Sequence, residues 1–483
     1  MESRPDHLDV VVVGAGLSGI AAAVQLRGDH PERSFVMLDQ RDDLGGTWDL
    51  FRYPGIRSDS DMYTLGYAFK PWTSDKAIAS GDAILGYLRD TVAEYDLSTR
   101  IRLGRRVRRA SWASESATWT LEVDGPAGRE AYTCSFLYLA AGYYDYDGGH
   151  MPDFPGVEKF GGTLLHPQEW PADLDCTGRR VAVIGSGATA ITLVPALAEI
   201  AEKVTMVQRS PSYVAIDSDI DEEAQRLRLE LGDRAAFEQV RLRNLRQQQA
   251  RYRAARTDPE TFKSALFEAI EQIVGRDVRE RHFTPTYQPW DQRLCLVPNG
   301  DLFHAIASGR AEVVTGNIAT FTAAGLRMES GEEVDADVVV AATGLRLAPF
   351  GKIEVCADGW PVDLARCFTY KGVAFSGVPN LVSAFGYLNS SWTLRLELVN
   401  RFWSAVLSRM DASGATEVVP VLSAEEAEME RRPWISDVSS GYLVRHLNDF
   451  PAQGDRAPWL NPQVHDETET LLAELDDGTL RFG

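Results

Sequence analysis

The most regular feature near the start of the chain is an apolar run followed by glycines and a second apolar run. Residues Asp9 to Val13 are mainly β-branched, and an alanine-rich stretch follows the glycines as far as about Leu26. A shorter apolar run, Phe35 to Leu38, ends at Asp39. Short continuous apolar runs are typical of buried parallel strands, and the alanine-rich stretch is typical of a helix. The pattern predicts a strand, a glycine turn, a helix and a second strand.

The same succession returns in the middle of the chain. Arg180 to Ile184 form an apolar run, Gly185 to Ala190 contain two glycines, and Thr192 to Ile200 are again mostly apolar. A further apolar run, Val204 to Val207, is followed by Gln208-Arg209-Ser210. The repetition predicts two separate βαβ units.

The pattern changes between Asp217 and about Asp277, where apolar residues recur every three or four positions among Glu, Arg, Gln and Ala. This spacing predicts helices with a solvated charged face. Short β-type runs return at Val313-Val314 and at Val338 to Ala342, and Thr343-Gly344 follows the second of these. We therefore expect an α/β fold with two Rossmann-like dinucleotide-binding domains and a helical insertion.

The composition of the chain indicates which kind of molecule it binds. The chain has 483 residues and a formal net charge of −21, so its surface would repel nucleic acid and anionic lipid, and a small molecule is the expected partner. The segment Val10 to Leu26 is too short and glycine-rich to predict a membrane span. The five cysteines form no C-x-x-C pair, and Met1 to Asp9 lacks the features of a signal peptide, which together favour a cytoplasmic protein with reduced thiols.

The first glycine turn has the spacing of a dinucleotide site. Gly14, Gly16 and Gly19 follow the strand and open the helix, and Asp39 lies twenty positions after the third glycine. In such a unit the helix amides meet a pyrophosphate and the acidic residue reaches the adenosine ribose. A carboxylate at this position would repel a 2′-phosphate, so the first unit is expected to bind FAD or NAD.

The second glycine turn carries a different residue at the end of its second strand. Gly185, Gly187 and Thr189 lie in this turn, and Arg209 with Ser210 stands where the first unit has an acid. A guanidinium can pair with a 2′-phosphate, which favours NADPH, although a surface ion pair would also explain Arg209.

Two further segments flank these units. The first contains Gly46, Trp48 and Tyr53, and its glycines and aromatic rings suit the wall of a flavin pocket, although composition alone also fits an ordinary glycine-proline loop. The second is the string Phe160-x-Gly162-x-x-x-His166-x-x-x-Trp170-Pro171, just before the second unit. A lone histidine is more often structural than catalytic, so we expect His166 to brace the connection between the two nucleotide domains.

The string from Phe160 to Pro171 between two glycine turns resembles the signature of type I Baeyer-Villiger monooxygenases, within the wider flavin-containing monooxygenases. Gly46-x-Trp48 with Arg52-Tyr53-Pro54-Gly55 and Asp59 resembles the second signature of that branch. The resemblance extends over nearly the whole chain and is least clear in the helical segment. It implies FAD and NADPH as cofactors, with residues 1–148 and 346–483 as the FAD-binding domain, 149–212 and 293–345 as the NADP-binding domain, and 213–292 as the helical insertion or lid.

The resemblance also implies a reaction. Flavin reduced by NADPH would add molecular oxygen at its C4a carbon, and the peroxide anion would attack a ketone to give an ester or lactone. Arg293 is then the expected fixed cation and Asp59 the carboxylate that orients it, although Asp61 is a rival and a structural salt bridge would also explain Arg293. Many relatives have a lysine where this chain has Gln292, which leaves Arg209 as the main contact for the 2′-phosphate.

Two alternatives to ketone oxidation remain open, and a third, disulfide reduction, is disfavoured. A protonated peroxide would transfer oxygen to sulfur or nitrogen, so a thioether is also a candidate substrate. A disulfide reductase would need a cysteine pair beside the flavin, and the cysteine spacing does not supply one. A flavoprotein that senses nucleotides without catalysis would bind flavin but consume no NADPH in air.

Overall fold

The computed structural model describes residues 7–436 and 439–483, and all structural statements refer to these residues. The expected absence of signal-peptide features concerns Met1 to Asp9, most of which lies outside the described residues. Among the described residues, no helix is both long enough and apolar enough to cross a membrane.

The larger of two main sheets takes its nine strands from both ends of the chain. His7–Val13 lies in parallel between Phe35–Leu38 and Gly128–Leu139, and Leu381–Ser383 pairs in parallel with the last of these. The other strands of this sheet are Ile101–Arg102, Arg106–Ala113, Thr118–Gly125, Glu354–Ala357 and Trp360–Val362. Because side chains alternate across a strand, Val10 and Val12 pack into one core while Val11 and Val13 pack into another.

The second main sheet has five parallel strands. In spatial order they are Ala311–Thr315, Lys203–Gln208, Arg180–Ile184, Val338–Ala341 and Thr163–Leu165. Val181 and Val183 face one core of this sheet, and Ala182 and Ile184 face another. Both faces are therefore covered, as expected for a parallel sheet. The predicted α/β class with two Rossmann-like units is confirmed.

Smaller strands complete the β-structure. Ile318–Thr322, Gly325–Met328 and Glu333–Asp335 form an antiparallel sheet, and three two-stranded sheets pair Val214–Asp217 with Cys295–Pro298, Thr369–Tyr370 with Ala374–Phe375, and Val418–Pro420 with Leu480–Phe482. The α-helices are Leu17–Asp29, Thr47–Leu50, Met62–Leu65, Gly81–Glu94, Ala188–Ala198, Glu222–Leu231, Asp233–Thr257, Pro259–Val274, Arg276–His282, Asp301–Ala307, Trp392–Ser413, Gly441–Val444 and His465–Ala473.

The longest helix, Asp233–Thr257, is called the insertion helix below because it lies in the predicted helical insertion. Its Arg241 is buried, forms an ion pair with Glu397 of the helix Trp392–Ser413, and donates to the carbonyl oxygens of Tyr63, Thr64 and Gly66. Loss of one partner of a buried pair is costly because it leaves the other charge unpaired. The insertion helix is thus held firmly against the first sheet's side of the molecule.

Candidate functional site

A cavity of about 970 Å³ lies where the glycine turns of the two main sheets face each other. Both turns follow the carboxyl ends of parallel strands, the edge at which open α/β sheets bind ligands. The cavity lining includes every site residue predicted from the sequence except Gly19. Two turns that are 171 positions apart, at Gly14 and Gly185, therefore contribute to one continuous site.

The first turn depends on glycine for close packing. Gly14 has φ +113°, and a Cβ atom there would lie 2.3 Å from the carbonyl oxygen of Ala140. Gly19 lies inside the helix, where a Cβ atom would lie 1.9 Å from the carbonyl oxygen of Gly14. Glycine at this position therefore permits the close contact between the helix and the preceding turn. Gly16 precedes the helix without a side-chain cap, so the first-turn N–H groups remain free for a phosphate.

Asp39 braces the same turn from the end of the neighbouring strand. Its carboxylate accepts from the backbone N–H of Ala15 at 2.7 Å and from that of Arg41 at 2.9 Å. The residue is only 6% exposed, and burial raises the pKa of its carboxyl group against the lowering effect of these hydrogen bonds. The carboxylate retains acceptor capacity toward the cavity for the hydroxyl groups of a ribose.

The predicted flavin wall lies beside this turn. Gly46 has φ +57°, and a Cβ atom there would lie 3.1 Å from the Cα atom of Gly16. The facing glycines thus leave bare backbone along the cavity, into which a flat ring system fits closely. Trp48 also lines the cavity and packs against the core of the first sheet.

Tyr53 lies at the junction with the second turn. Burial raises the pKa of Tyr53 to about 12, with the nearby Thr189 side chain opposing the shift, and the Tyr53 ring packs on the core of the second sheet. Thr189 follows Gly187, which precedes the helix Ala188–Ala198 without a side-chain cap. The helix begins at Ala188, four residues before the predicted start at Thr192. Its first backbone N–H groups, which have no partner within the helix, therefore lie next to Gly187 on the cavity wall.

Arg209 and Ser210 follow the strand Lys203–Gln208, as predicted. Both are exposed and line the cavity, and Arg209 forms no ion pair with the described residues. The alternative that Arg209 serves a surface ion pair therefore gains no support within that part of the chain. The backbone carbonyl of Ser210 accepts from Ser186 at 2.9 Å, which ties it to the glycine turn.

Arg293 and Asp59 come from segments 234 positions apart and meet at the cavity wall. Their closest N–O distance is 2.7 Å, and a third of the Arg293 side chain is exposed. The Arg293 side chain also lines the cavity. The attraction of Asp59 raises the pKa of Arg293 well above its ordinary value, and burial opposes this shift. Gln292, adjacent in sequence, also lines the cavity.

Asp61, the rival to Asp59, has a different task. It caps the helix Met62–Leu65 by accepting from the N–H of Thr64, and it accepts from Asn244 and Gln248 of the insertion helix at 2.9 and 3.0 Å. Its carboxylate is thus engaged away from Arg293.

Sequence reasoning missed a group of tyrosines around Arg293. Tyr442 lies beside Arg293 on the cavity wall; burial raises the pKa of Tyr442 to about 12, and the neighbouring guanidinium opposes this shift. The hydroxyl groups of Tyr143 and Tyr144 lie 3.0 Å apart, and the ring of Tyr143 stacks on Trp392. The run Tyr143-Tyr144, placed just after a strand of the first sheet, was a usable signal, whereas no local pattern marked Tyr442.

His166 lies between the two units. One ring nitrogen, Nδ1, accepts from the N–H of Gln168 at 3.1 Å, so Nε2 donates to the carbonyl oxygen of Gly344 at 3.0 Å. Burial lowers the pKa of the imidazole, which agrees with a neutral ring that holds two chain segments together.

Cysteine chemistry is not supported by the site. Cys295 lines the cavity beside Arg293, but burial raises the pKa of its thiol to about 12, which disfavours the reactive thiolate. All five cysteines are free. The arrangement therefore lacks the dithiol that disulfide reduction requires.

Comparison with known proteins agrees with this architecture. The profile of the family "Pyridine nucleotide-disulphide oxidoreductase" matches residues 8–263. The chain is 46% identical to the FAD-containing monooxygenase EthA of Mycobacterium tuberculosis, covering 99% of this chain and 98% of EthA. It is 43% identical to the probable FAD-binding monooxygenase AlmA of Acinetobacter baylyi, covering 99% and 96%.

A solved structure shares the fold as a whole. An oxidised steroid monooxygenase bound to NADP superimposes with a TM-score of 0.79 at 23% identity, covering 99% of each chain. The chain has the two-nucleotide architecture of the pyridine nucleotide-disulphide oxidoreductases, and by its similarity over nearly its full length it belongs to the FAD-containing monooxygenases, as a class B flavin monooxygenase resembling the type I Baeyer-Villiger branch.

Proposed function

We propose that this protein is a Baeyer-Villiger monooxygenase that uses NADPH and molecular oxygen to convert ketones into esters or lactones. The observation that carries the proposal is the Arg293–Asp59 pair, which places a fixed positive charge on the wall of a cavity shared by two dinucleotide units. Asp59 orients the guanidinium, and Arg293 faces the reacting atoms.

FAD and NADPH are the cofactors of this chain, and the residues of the cavity fit them. Gly14, Gly16, Gly46, Asp39 and Trp48 would hold FAD through bare backbone, free helix N–H groups and a ribose acceptor. The second turn would hold NADPH through Gly185, Gly187, Thr189, Arg209, Ser210 and Gln292, with Tyr53 between the two sites.

Bound FAD supplies the redox chemistry, in that it accepts a hydride from NADPH and reacts with molecular oxygen. The protein supplies a positive charge where negative charge develops, and an enclosed site strengthens that interaction. Tyr143, Tyr144 and Tyr442 line the same cavity beside Arg293. Arg293 remains protonated throughout because Asp59 raises its pKa.

We also propose the domain division given by the sequence, with residues 1–148 and 346–483 binding FAD and residues 149–212 and 293–345 binding NADPH. The membership of each main sheet supports this division. The insertion, residues 213–292, is proposed as a fixed wall of the substrate region, because Arg241 anchors its longest helix.

The test is NADPH oxidation in air by the purified holoenzyme with a ketone and its sulfur analogue, followed by product identification. We expect ester formation from 2-octanone, with one NADPH consumed for each ester. Sulfoxide formation from methyl hexyl sulfide without any ester would instead favour transfer of oxygen to sulfur. Flavin binding with no NADPH consumption would favour a non-catalytic flavoprotein.

A further inference from the structure

A second, much smaller chamber adjoins the main cavity on the other side of Arg293. Its volume is about 30 Å³, and it shares Arg293, Ser440 and Tyr442 with the lining of the large cavity. A water-sized site needs roughly 10–15 Å³, so the chamber has room for one or two heavy atoms. It can therefore receive a single functional group of a molecule whose body lies in the main cavity.

The chamber is rich in hydrogen-bond donors without partners. The indole Nε1 of Trp290 and the amide Nε2 of Gln463 are both buried and have no hydrogen-bond partner among the described residues. The orientation of the Gln463 amide is fixed, because its oxygen accepts from the N–H of Leu388 at 3.1 Å. The NH₂ group of Gln463 is therefore the part of the amide that has no hydrogen-bond partner among the described residues.

Buried donors without acceptors are costly, so a ligand that supplies an acceptor gains free energy at such a place. The charged guanidinium of Arg293 is a third donor on the same chamber. The other lining residues are the apolar Leu388 and Leu443, the ring of Tyr252, and the polar Asn389, Ser436, Ser440 and Tyr442. The three donors match one acceptor oxygen, and the two leucines suit the carbon atom that carries it.

The position of Trp290 is held from several sides. Trp290 has φ +70°, an unfavourable conformation for a residue with a side chain. The following residue, Asp291, pairs with Arg256 of the insertion helix at 2.7 Å. The carbonyl oxygen of Asp291 accepts from the N–H and the hydroxyl group of Ser439 at 2.6 and 2.9 Å. Such support from the surroundings is what a strained functional position requires.

We propose that this chamber is the subsite for the carbonyl oxygen of the substrate, with Trp290 and Gln463 donating hydrogen bonds to it beside Arg293. The inference rests on the proposed oxidation of ketones and deepens it. A ketone oxygen accepts these bonds, whereas a thioether sulfur is a poor acceptor. Trp290 and Gln463 thus select carbonyl compounds over sulfides of the same shape.

The experiment measures binding without turnover. Dissociation constants of 2-octanone and methyl hexyl sulfide are determined by calorimetry on the oxidised holoenzyme without NADPH, for the wild type, Trp290→Phe and Gln463→Glu. Trp290→Phe retains an aromatic ring, and Gln463→Glu retains an oxygen for the N–H of Leu388. We expect each variant to weaken binding of 2-octanone by about threefold to tenfold, as for one neutral hydrogen bond, and to change that of the sulfide less than twofold.

Trp434→Phe is the matched control. The indole nitrogen of Trp434 is also buried and has no hydrogen-bond partner within residues 7–436 and 439–483, but the residue lines neither cavity and stacks on Phe450. It should leave both dissociation constants unchanged. Equal weakening for both ligands in Trp290→Phe, no change for 2-octanone, or no binding of 2-octanone by the wild type would each overturn the inference. Binding with the expected pattern but without ester formation would contradict only the proposed function.

Discussion

Replacement of Arg293 by alanine tests the proposed function most directly. The variant removes the positive charge from the cavity wall. It also leaves the negative charge of Asp59 without the guanidinium that lies 2.7 Å away in the wild type. At an effective dielectric constant of 20, a unit charge about 4 Å from the developing negative charge contributes about 4 kcal/mol. This corresponds to about a thousandfold in rate.

The pairing with Asp59 reduces that contribution, so we expect oxygenation to slow by about 100- to 1,000-fold, similar to the loss of one oxyanion-stabilising donor. Hydride transfer from NADPH depends on the second glycine turn and should persist. The assay combines anaerobic stopped-flow flavin reduction with product analysis in air. Arg293→Lys retains the charge but not the planar fork, and should recover part of the rate.

An Arg293→Ala variant that retains FAD and forms product within tenfold of the wild-type rate would contradict the proposed role of the guanidinium. Equal losses in flavin reduction and oxygenation would also contradict it, because the charge would then serve the structure of the whole cavity. Asp59→Asn is the companion variant, and it should lower oxygenation less than Arg293→Ala because the cation remains.

Three further outcomes follow from the structure. Arg209→Ala should raise the apparent KM for NADPH by roughly 10- to 100-fold, as for one lost charge-assisted hydrogen bond, and should change the KM for NADH little; equal changes would contradict the assignment of the 2′-phosphate. The folded protein keeps His166 neutral because burial lowers its pKa, whereas the unfolded chain takes up a proton as the pH falls below about 6.5. His166→Gln should therefore lessen the loss of thermal stability at low pH. Melting curves at pH 7.5 and 5.5 measure this, and an unchanged pH dependence would refute it. Arg241→Met should destabilise the protein by about 1–3 kcal/mol in urea titration, because it leaves the three backbone carbonyls and the partly exposed Glu397 without this donor. Adding Glu397→Leu should recover part of the loss; no recovery would show that the bonds from Arg241 to backbone carbonyls dominate.

The local pattern of apolar residues predicted the main strands of the fold. The strands Phe35–Leu38 and Arg180–Ile184 have the bounds that the sequence predicted. A short, continuous run of apolar residues indicates a strand whose two faces are both buried. Such a run therefore predicts a strand of a parallel sheet without knowledge of the rest of the chain. The start of the helix Ala188–Ala198 was less certain, because small residues suit a turn as well as a helix.

The site was only partly accessible to such reasoning. The glycine turns and Asp39 are spaced along one βαβ unit, so local sequence constrains them. The Arg293–Asp59 pair was expected from the resemblance alone, since 234 positions separate its members. Tyr442 and Gln463 carried no local signal, because tertiary packing brings them beside the guanidinium from positions far along the chain, whereas Trp290 lies only three positions before Arg293.

The route of the chain through its two main sheets has a practical consequence for chimeric enzymes. The chain leaves the first sheet after Leu139, builds the whole second sheet, and returns to add Glu354–Ala357 and Leu381–Ser383. Cutting the gene once between the sheets would deprive one fragment of strands that it needs. Exchange of the coenzyme unit with a relative should therefore treat that unit as a cassette with two splice points, chosen on either side of residues 163–341.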